Sequence, residues 1–159
     1  ATATRLGEVV SGAGDASTFN STEGVLYLKE SANGDGRIAI TDGSGIANGR
    51  VMVGHTSSSN TVVAQHYDGT NYITLNYVVA ASYQINAIAF KYKSADFALW
   101  VNGFEVEVDS TVQSIVSNTL SDLDLDAGDG SNNLYGKTSQ IQVFKTALTD
   151  EELAILTTI

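Results

Sequence analysis

The chain has 159 residues, 43% of them hydrophobic, and a net charge of −10 from 8 Lys+Arg against 18 Asp+Glu. That length suits one domain burying roughly two thirds of its unfolded surface, with a composition that is neither disordered nor membranous. The few basic residues argue against a nucleic-acid partner, no apolar run approaches the ~20 residues of a spanning helix, and the lack of Cys excludes disulfides and thiolate chemistry.

Residues 1–18 are small and polar and read as a lead-in or linker, leaving 19–159 as the domain; a start at Ala1 without Met is expected of a processed form or an excised fragment. The first strand is expected at Gly24–Glu30, with Val25, Tyr27 and Lys29 on one face and Leu26 and Leu28 on the other. Apolar residues on both faces place it inside a layered structure. Turn signals recur at Asn33-Gly34-Asp35-Gly36, Asp42-Gly43-Ser44-Gly45 and Asn48-Gly49, bounding short strands Arg37–Thr41 and Arg50–Gly54. Val62–His66 and Tyr72–Val79 form a further pair around Tyr67-Asp68-Gly69-Thr70-Asn71. Evenly spaced short strands between Gly/Asn/Asp turns argue for an all-β sandwich or barrel.

Ala87–Val108 reads as a three-stranded meander. Asn102-Gly103 suits a two-residue type I′ turn, which needs positive φ at both residues. That turn predicts Val101 opposite Phe104, Leu99 opposite Val106 and Phe97 opposite Val108. A four-residue loop at Lys93–Asp96 opposes Tyr92 with Phe97, Phe90 with Leu99 and Ile88 with Val101. One face is then wholly apolar, while the other carries Ala89, Trp100 and Glu105 in one row and Lys91, Ala98 and Glu107 in the next.

After Val112–Leu125 comes a Gly/Asn-rich loop over Ala127–Asn133, and Leu134–Phe144 returns to strand pattern. A short terminal helix is expected after Thr149. Thr149 and Glu152 form a capping box, Leu148 and Leu153 occupy the staple positions, and Asp150, Glu151 and Glu152 favour the positive end of the helix dipole.

LYGKTSQIQVFKTALTDEELAIL (Leu134–Leu156) resembles the C-terminal signature of the concanavalin A-like lectin/glucanase superfamily, in its laminin-G-like branch. AIAFKYKSADFALWVNG (Ala87–Gly103) resembles that branch's penultimate hairpin, and STEGVLYLKE its first strand. Where the branch often has an acidic residue after the strand-opening Ile, this chain has Gln140-Ile141-Gln142. The resemblance implies an all-β fold, a jelly-roll sandwich of two curved antiparallel sheets with a short C-terminal helix. It also implies settings such as phage host-recognition fibres and bacterial surface or polysaccharide-degrading proteins.

Glu105, Glu107 and Asp109 stand at i, i+2 and i+4, about 7 Å apart at each step, near the separation of paired glycosidase carboxylates. They are similar to the E-x-D-x-E strand of glucanases in the superfamily, with the order changed. Lys91 facing Glu107 would keep that carboxylate ionised and unfit as a general acid. Trp100, on the non-core face beside Ala89 and Glu105, suits an indole stacked on a sugar's C–H face; the competing expectation is burial in a minor core. Tyr67, Asp68, Asn71 and Tyr72 offer lectin-style aromatic and polar groups on one hairpin. Asp124, Asp126 and Asp129, following Asp122, are hard oxygen ligands suited to Ca²⁺ but miss the EF-hand spacing. With two His and no Cys, zinc is not expected.

The sequence is therefore read as a non-catalytic carbohydrate- or receptor-binding module of a larger extracellular or virion surface protein. Its partner is a polysaccharide or cell-surface glycan, without nucleic acid or membrane insertion, and homo-oligomerisation through a parent protein is left open. Candidate binding residues are Trp100, Tyr67, Asp68, Asn71, Tyr72 and Glu105, with Ca²⁺ near Asp124, Asp126 and Asp129. The alternatives are a structural spacer of a fibre or capsid, and a glycoside hydrolase-like enzyme using Glu105 and Glu107.

Overall fold

A computed structural model describes residues 13–32, 34–46, 48–56, 60–115 and 119–159. Among them are β1 (Glu23–Ala32), β2 (Gly36–Thr41), β3 (Arg50–Thr56), β4 (Thr61–Tyr67), β5 (Tyr72–Val78), β6 (Ile85–Lys93), β7 (Phe97–Val101), β8 (Phe104–Asp109), β9 (Asp122–Asp124), β10 (Gly136–Phe144) and α1 (Asp150–Leu156). The strands form two five-stranded sheets: a back sheet in the order β10-β1-β6-β7-β8 and a front sheet in the order β5-β4-β3-β2-β9. All pairings are antiparallel, so the fold is the expected all-β jelly-roll sandwich with a short C-terminal helix.

The core between the sheets follows from period-two alternation. Leu26, Leu28, Ile88, Phe90, Tyr92, Phe97 and Leu99 face inward from the back sheet, and Ile38, Ile40, Val51, Val53, Val62, Ala64, Ile73 and Leu75 from the front. Each fully buried Leu, Ile or Phe contributes on the order of 1.5–3 kcal/mol. One end of this interior is polar: His55 Nδ1 lies 2.8 Å from Glu30 Oε1, and both side chains are fully buried. The other atoms of the pair, His55 Nε2 and Glu30 Oε2, have no partner.

β1 is apolar on both faces because a second layer lies behind the back sheet. Leu153 of α1 packs with Val25, Tyr27, Ala87, Ala89, Ala98 and Trp100, bordered by Phe144, Leu148 and Leu156. The helix starts where the capping box predicts. Thr149 accepts from the Glu152 N–H, and the Glu152 carboxylate accepts from the Thr149 N–H at 2.8 Å. Thr149→Ala is expected to cost about 1 kcal/mol, lowering Tm by about 2–4 °C in a chain of this size. Trp100 is the only tryptophan, so its fluorescence in the same melt reports whether the helix lifts with the global transition.

The meander forms as predicted on its first side, with Ile88 opposite Val101 and Phe90 opposite Leu99. Asn102 (φ 52°) and Gly103 (φ 90°) make the two-residue turn. Beyond it the register departs from expectation. A bulge between Leu99 and Trp100 leaves Trp100 opposite Glu105 but sets Leu99 opposite Glu107 and Phe97 opposite Asp109, so Leu99–Val106 and Phe97–Val108 are not pairs. The physical reason is that one extra residue on one strand reverses the alternation beyond it. Lys91 consequently does not face Glu107; its ammonium pairs with Asp96 at 2.7 Å and Asp150 at 3.4 Å.

Residues 1–12 of the expected lead-in lie outside the described residues. Its last part is tied to the domain, with the Ala13 carbonyl accepting from Leu123 N–H at 3.2 Å and the Ser17 carbonyl from the Lys145 ammonium at 2.5 Å. Asp122–Asp124, within the stretch leading to the loop, instead pairs with β2 as a short edge strand.

Candidate functional site

The outer face of the front sheet gathers chemistry that the back sheet lacks. Because Ile38, Ile40, Val51 and Val53 point into the core, Arg37, Ala39 and Thr41 on β2 and Arg50, Met52 and Gly54 on β3 point outward. Continuing onto β4 and β5, the outer rows are Arg37, Gly54, Val63 and Asn76; then Ala39, Met52, Gln65 and Thr74; then Arg50, Tyr67 and Tyr72. The face thus carries two arginines in a protein of net charge −10.

Gly54 makes room for the first. A Cβ at that position would stand 2.7 Å from Arg37 Cα and 2.9 Å from its Cγ, so the Arg37 side chain lies close against bare backbone. The Arg37 Nε is buried and has no partner. Arg50 is only 6% exposed. It donates from Nη1 to the Ala127 carbonyl at 2.6 Å and from Nη2 to Gln65 Oε1 at 2.7 Å, while its Nε is also buried without a partner. Burial pushes the Arg50 guanidinium below its ordinary pKa; Tyr72 and Asp129 oppose that shift and Arg37 adds to it. Two guanidinium cations on one sheet face give it a local positive charge suited to an anion.

Beside Arg50, Tyr67 and Tyr72 stack across β4 and β5, ring centroids 4.2 Å apart at 18°. Tyr72 is 51% exposed and offers an aromatic face to solvent. Asp68 and Asn71 sit on the hairpin joining these strands, where Asp68 Oδ1 accepts from the Thr70 and Asn71 N–H groups at 2.8 and 2.7 Å. Four predicted site residues, Tyr67, Asp68, Asn71 and Tyr72, are therefore brought together here.

Trp100 and Glu105 are not with them. They lie on the outer face of the back sheet, across the molecule. Glu105 is exposed there, but α1 covers Trp100, leaving it 7% exposed. The expected exposed indole is a packing residue, because the helix buries the one apolar stripe the back sheet presents. The bulge also separates Glu105 from Glu107. Glu107 turns toward the other sheet and accepts from the Asn76 N–H, capping the edge of β5. Glu105 and Glu107 therefore do not share a face, as a pair of glycosidase carboxylates must.

Asp124, Asp126 and Asp129 line a cleft of about 260 Å³ with Thr41, Gly43, Gly45, Gly128 and Gly130, at the β9 side of the front sheet. Burial pushes the Asp124 carboxyl up; the Thr41 hydroxyl bond opposes this, and the Asp126 and Asp122 charges reinforce it. Their oxygens have local partners: Thr41 Oγ1 donates to Asp124, the Gly128 N–H to Asp126 and the Ser131 N–H to Asp129. Among the described residues no three His, Asp or Glu side chains converge to hold a metal ion.

Sequence reasoning missed Arg37, Arg50 and Gln65. The available signal was parity: in Arg37-Ile38-Ala39-Ile40 and Arg50-Val51-Met52-Val53, both arginines alternate with core residues and so share the outer face once the strands pair.

No protein-family model matches the chain, and no curated protein matches its sequence. Among solved structures it is similar to the CBM40 of Ruminococcus gnavus IT-sialidase, at 17% identity over 98% of each chain with a TM-score of 0.71. The same CBM40 bound to α2,3-sialyllactose gives 16% identity over 98% of this chain and 97% of that one, TM-score 0.73. Domain 4 of AbnA, a GH43 extracellular arabinanase from Geobacillus stearothermophilus in complex with arabinotriose, gives 10% identity, 91% and 70% coverage and a TM-score of 0.64. Leech intramolecular trans-sialidase matches at 19% identity and a TM-score of 0.70, the match covering 87% of this chain but 24% of the leech protein. At these identities the likeness establishes the jelly-roll fold.

Proposed function

We propose that this chain is a non-catalytic glycan-binding module and that its ligand is a carboxylate-bearing sugar held on the outer face of the front sheet. The observation that carries the reading is the pair of guanidinium cations, Arg37 and Arg50, on one sheet face beside the stacked Tyr67 and Tyr72. Guanidinium donors suit a carboxylate, and an exposed tyrosine face suits the sugar ring next to it. The solved CBM40 bound to α2,3-sialyllactose, a carboxylated sugar on the same fold, supports the choice of ligand class. The match to one quarter of the leech trans-sialidase supports a place within a larger protein, and the match to domain 4 of the extracellular arabinanase AbnA supports an extracellular one. Assignment to the laminin-G-like branch and a phage-fibre setting rest on the resemblance, and a Ca²⁺ site at Asp124, Asp126 and Asp129 on the oxygen ligands these residues offer; the glycan reading requires none of them.

The test is calorimetric titration of α2,3-sialyllactose and of lactose, in EDTA and again with added Ca²⁺. Binding of sialyllactose but not lactose is expected, and the bound ligand raises Tm by mass action. Binding confined to the Ca²⁺ arm would add the metal to the site. Binding of neither sugar under either condition would sink the reading and leave the structural spacer.

A further inference from the structure

Resting on that reading, we infer that Gln65 is the positioning residue of the site: it holds the Arg50 guanidinium in the orientation that receives the ligand's carboxylate. Gln65 lies half-buried on β4 between the two strands it joins. Its Oε1 accepts from Arg50 Nη2 at 2.7 Å, and its Nε2 donates to Thr74 Oγ1 on β5 at 3.2 Å. These two bonds settle the amide orientation, because a flipped amide would point N–H at N–H toward Arg50 and lose that bond. On the other side the Ala127 carbonyl takes Arg50 Nη1 at 2.6 Å. The guanidinium is therefore clamped at both ends.

Clamping matters because a free arginine side chain loses rotamer freedom when it binds, whereas one already held has little left to lose. Gln65 does this without a charge. A carboxylate in its place would hold Arg50 equally well and cancel the attraction meant for the ligand. Neutrality at Gln65 is thus part of the site's selectivity for acidic over neutral sugars.

The experiment titrates α2,3-sialyllactose into the wild type, Gln65→Leu and Gln65→Glu between pH 7.5 and 5, with a melt of each protein. Gln65→Leu is expected to bind about tenfold more weakly at every pH, with Tm close to wild type. Gln65→Glu, whose carboxylate the Arg50 guanidinium keeps ionised across this range, is expected to lose more affinity than Gln65→Leu at every pH, with Tm no lower than wild type. A purely structural role would lower affinity and Tm together in both variants, with Gln65→Glu no weaker a binder than Gln65→Leu. Wild-type binding accompanied by unchanged affinity in both variants overturns the role of Gln65 alone. A wild type that takes no sialyllactose overturns the site reading and this inference with it.

Discussion

Arg37→Ala is expected to weaken α2,3-sialyllactose binding by about ten- to a hundredfold, equivalent to the roughly 1.5–3 kcal/mol of a hydrogen bond to a charged group. The molecule as a whole repels anions at its net charge of −10, so affinity for one must come from local donors, and this face supplies them. Arg37 is the cleaner of the two arginines to remove, since it is half-buried whereas Arg50 is almost wholly enclosed and holds the Ala127 loop through its Nη1. Arg37→Lys is expected to recover only part of the loss, because an ammonium keeps the charge but not the planar fork. Isothermal titration of the two variants beside Tyr72→Ala checks this. The tyrosine change is expected to weaken binding without altering preference for the charged sugar. Unchanged affinity in both Arg37→Ala and Tyr72→Ala would place the ligand elsewhere on the molecule.

Stability is expected to fall by about 3 kcal/mol as pH drops from 7 to 4, chiefly through His66. This side chain points inward from β4, is 2% exposed and lies against Phe97 with ring centroids 4.9 Å apart. Burial lowers its pKa to about 4, with Asp68 pulling weakly the other way. The Gln113 amide also donates to His66 Nδ1 at 3.1 Å, which requires that nitrogen to be unprotonated. The unfolded chain binds this proton near the ordinary value of about 6.5. Between 6.5 and 4 the unfolded state therefore holds more protons than the folded one, and stability present at neutral pH is lost on acidification through that window. Urea melts at pH 7, 5.5 and 4.5 measure the slope, and His66→Leu is expected to flatten it. An equally steep fall in the variant would assign the effect to other groups. Gln113 also donates to the Asn71 carbonyl at 2.9 Å, so the same protonation loosens the hairpin that carries Asp68 and Asn71.

Local pattern alone determined most of the architecture. Alternation separated the two faces of β1 and set the apolar face of β6 and β7, Asn102-Gly103 dictated its turn, and Thr149 with Glu152 marked the helix start, because each depends only on residues within a few positions. That Tyr67, Asp68, Asn71 and Tyr72 share one hairpin, the hairpin half of the proposed site, was legible for the same reason. What tertiary structure decided were the relations between distant segments. The bulge beside Trp100 sent Glu105 and Glu107 to different faces, since register beyond a turn depends on what each strand packs against. The terminal helix buried Trp100, because an apolar stripe on the back sheet needed a cover that only the end of the chain supplied. And Arg37, Arg50 and the Ala127 loop met on one face only because β2 and β3 lie side by side in the front sheet with β9 at its edge, a proximity set by burial of the shared core and not by anything local to the arginines.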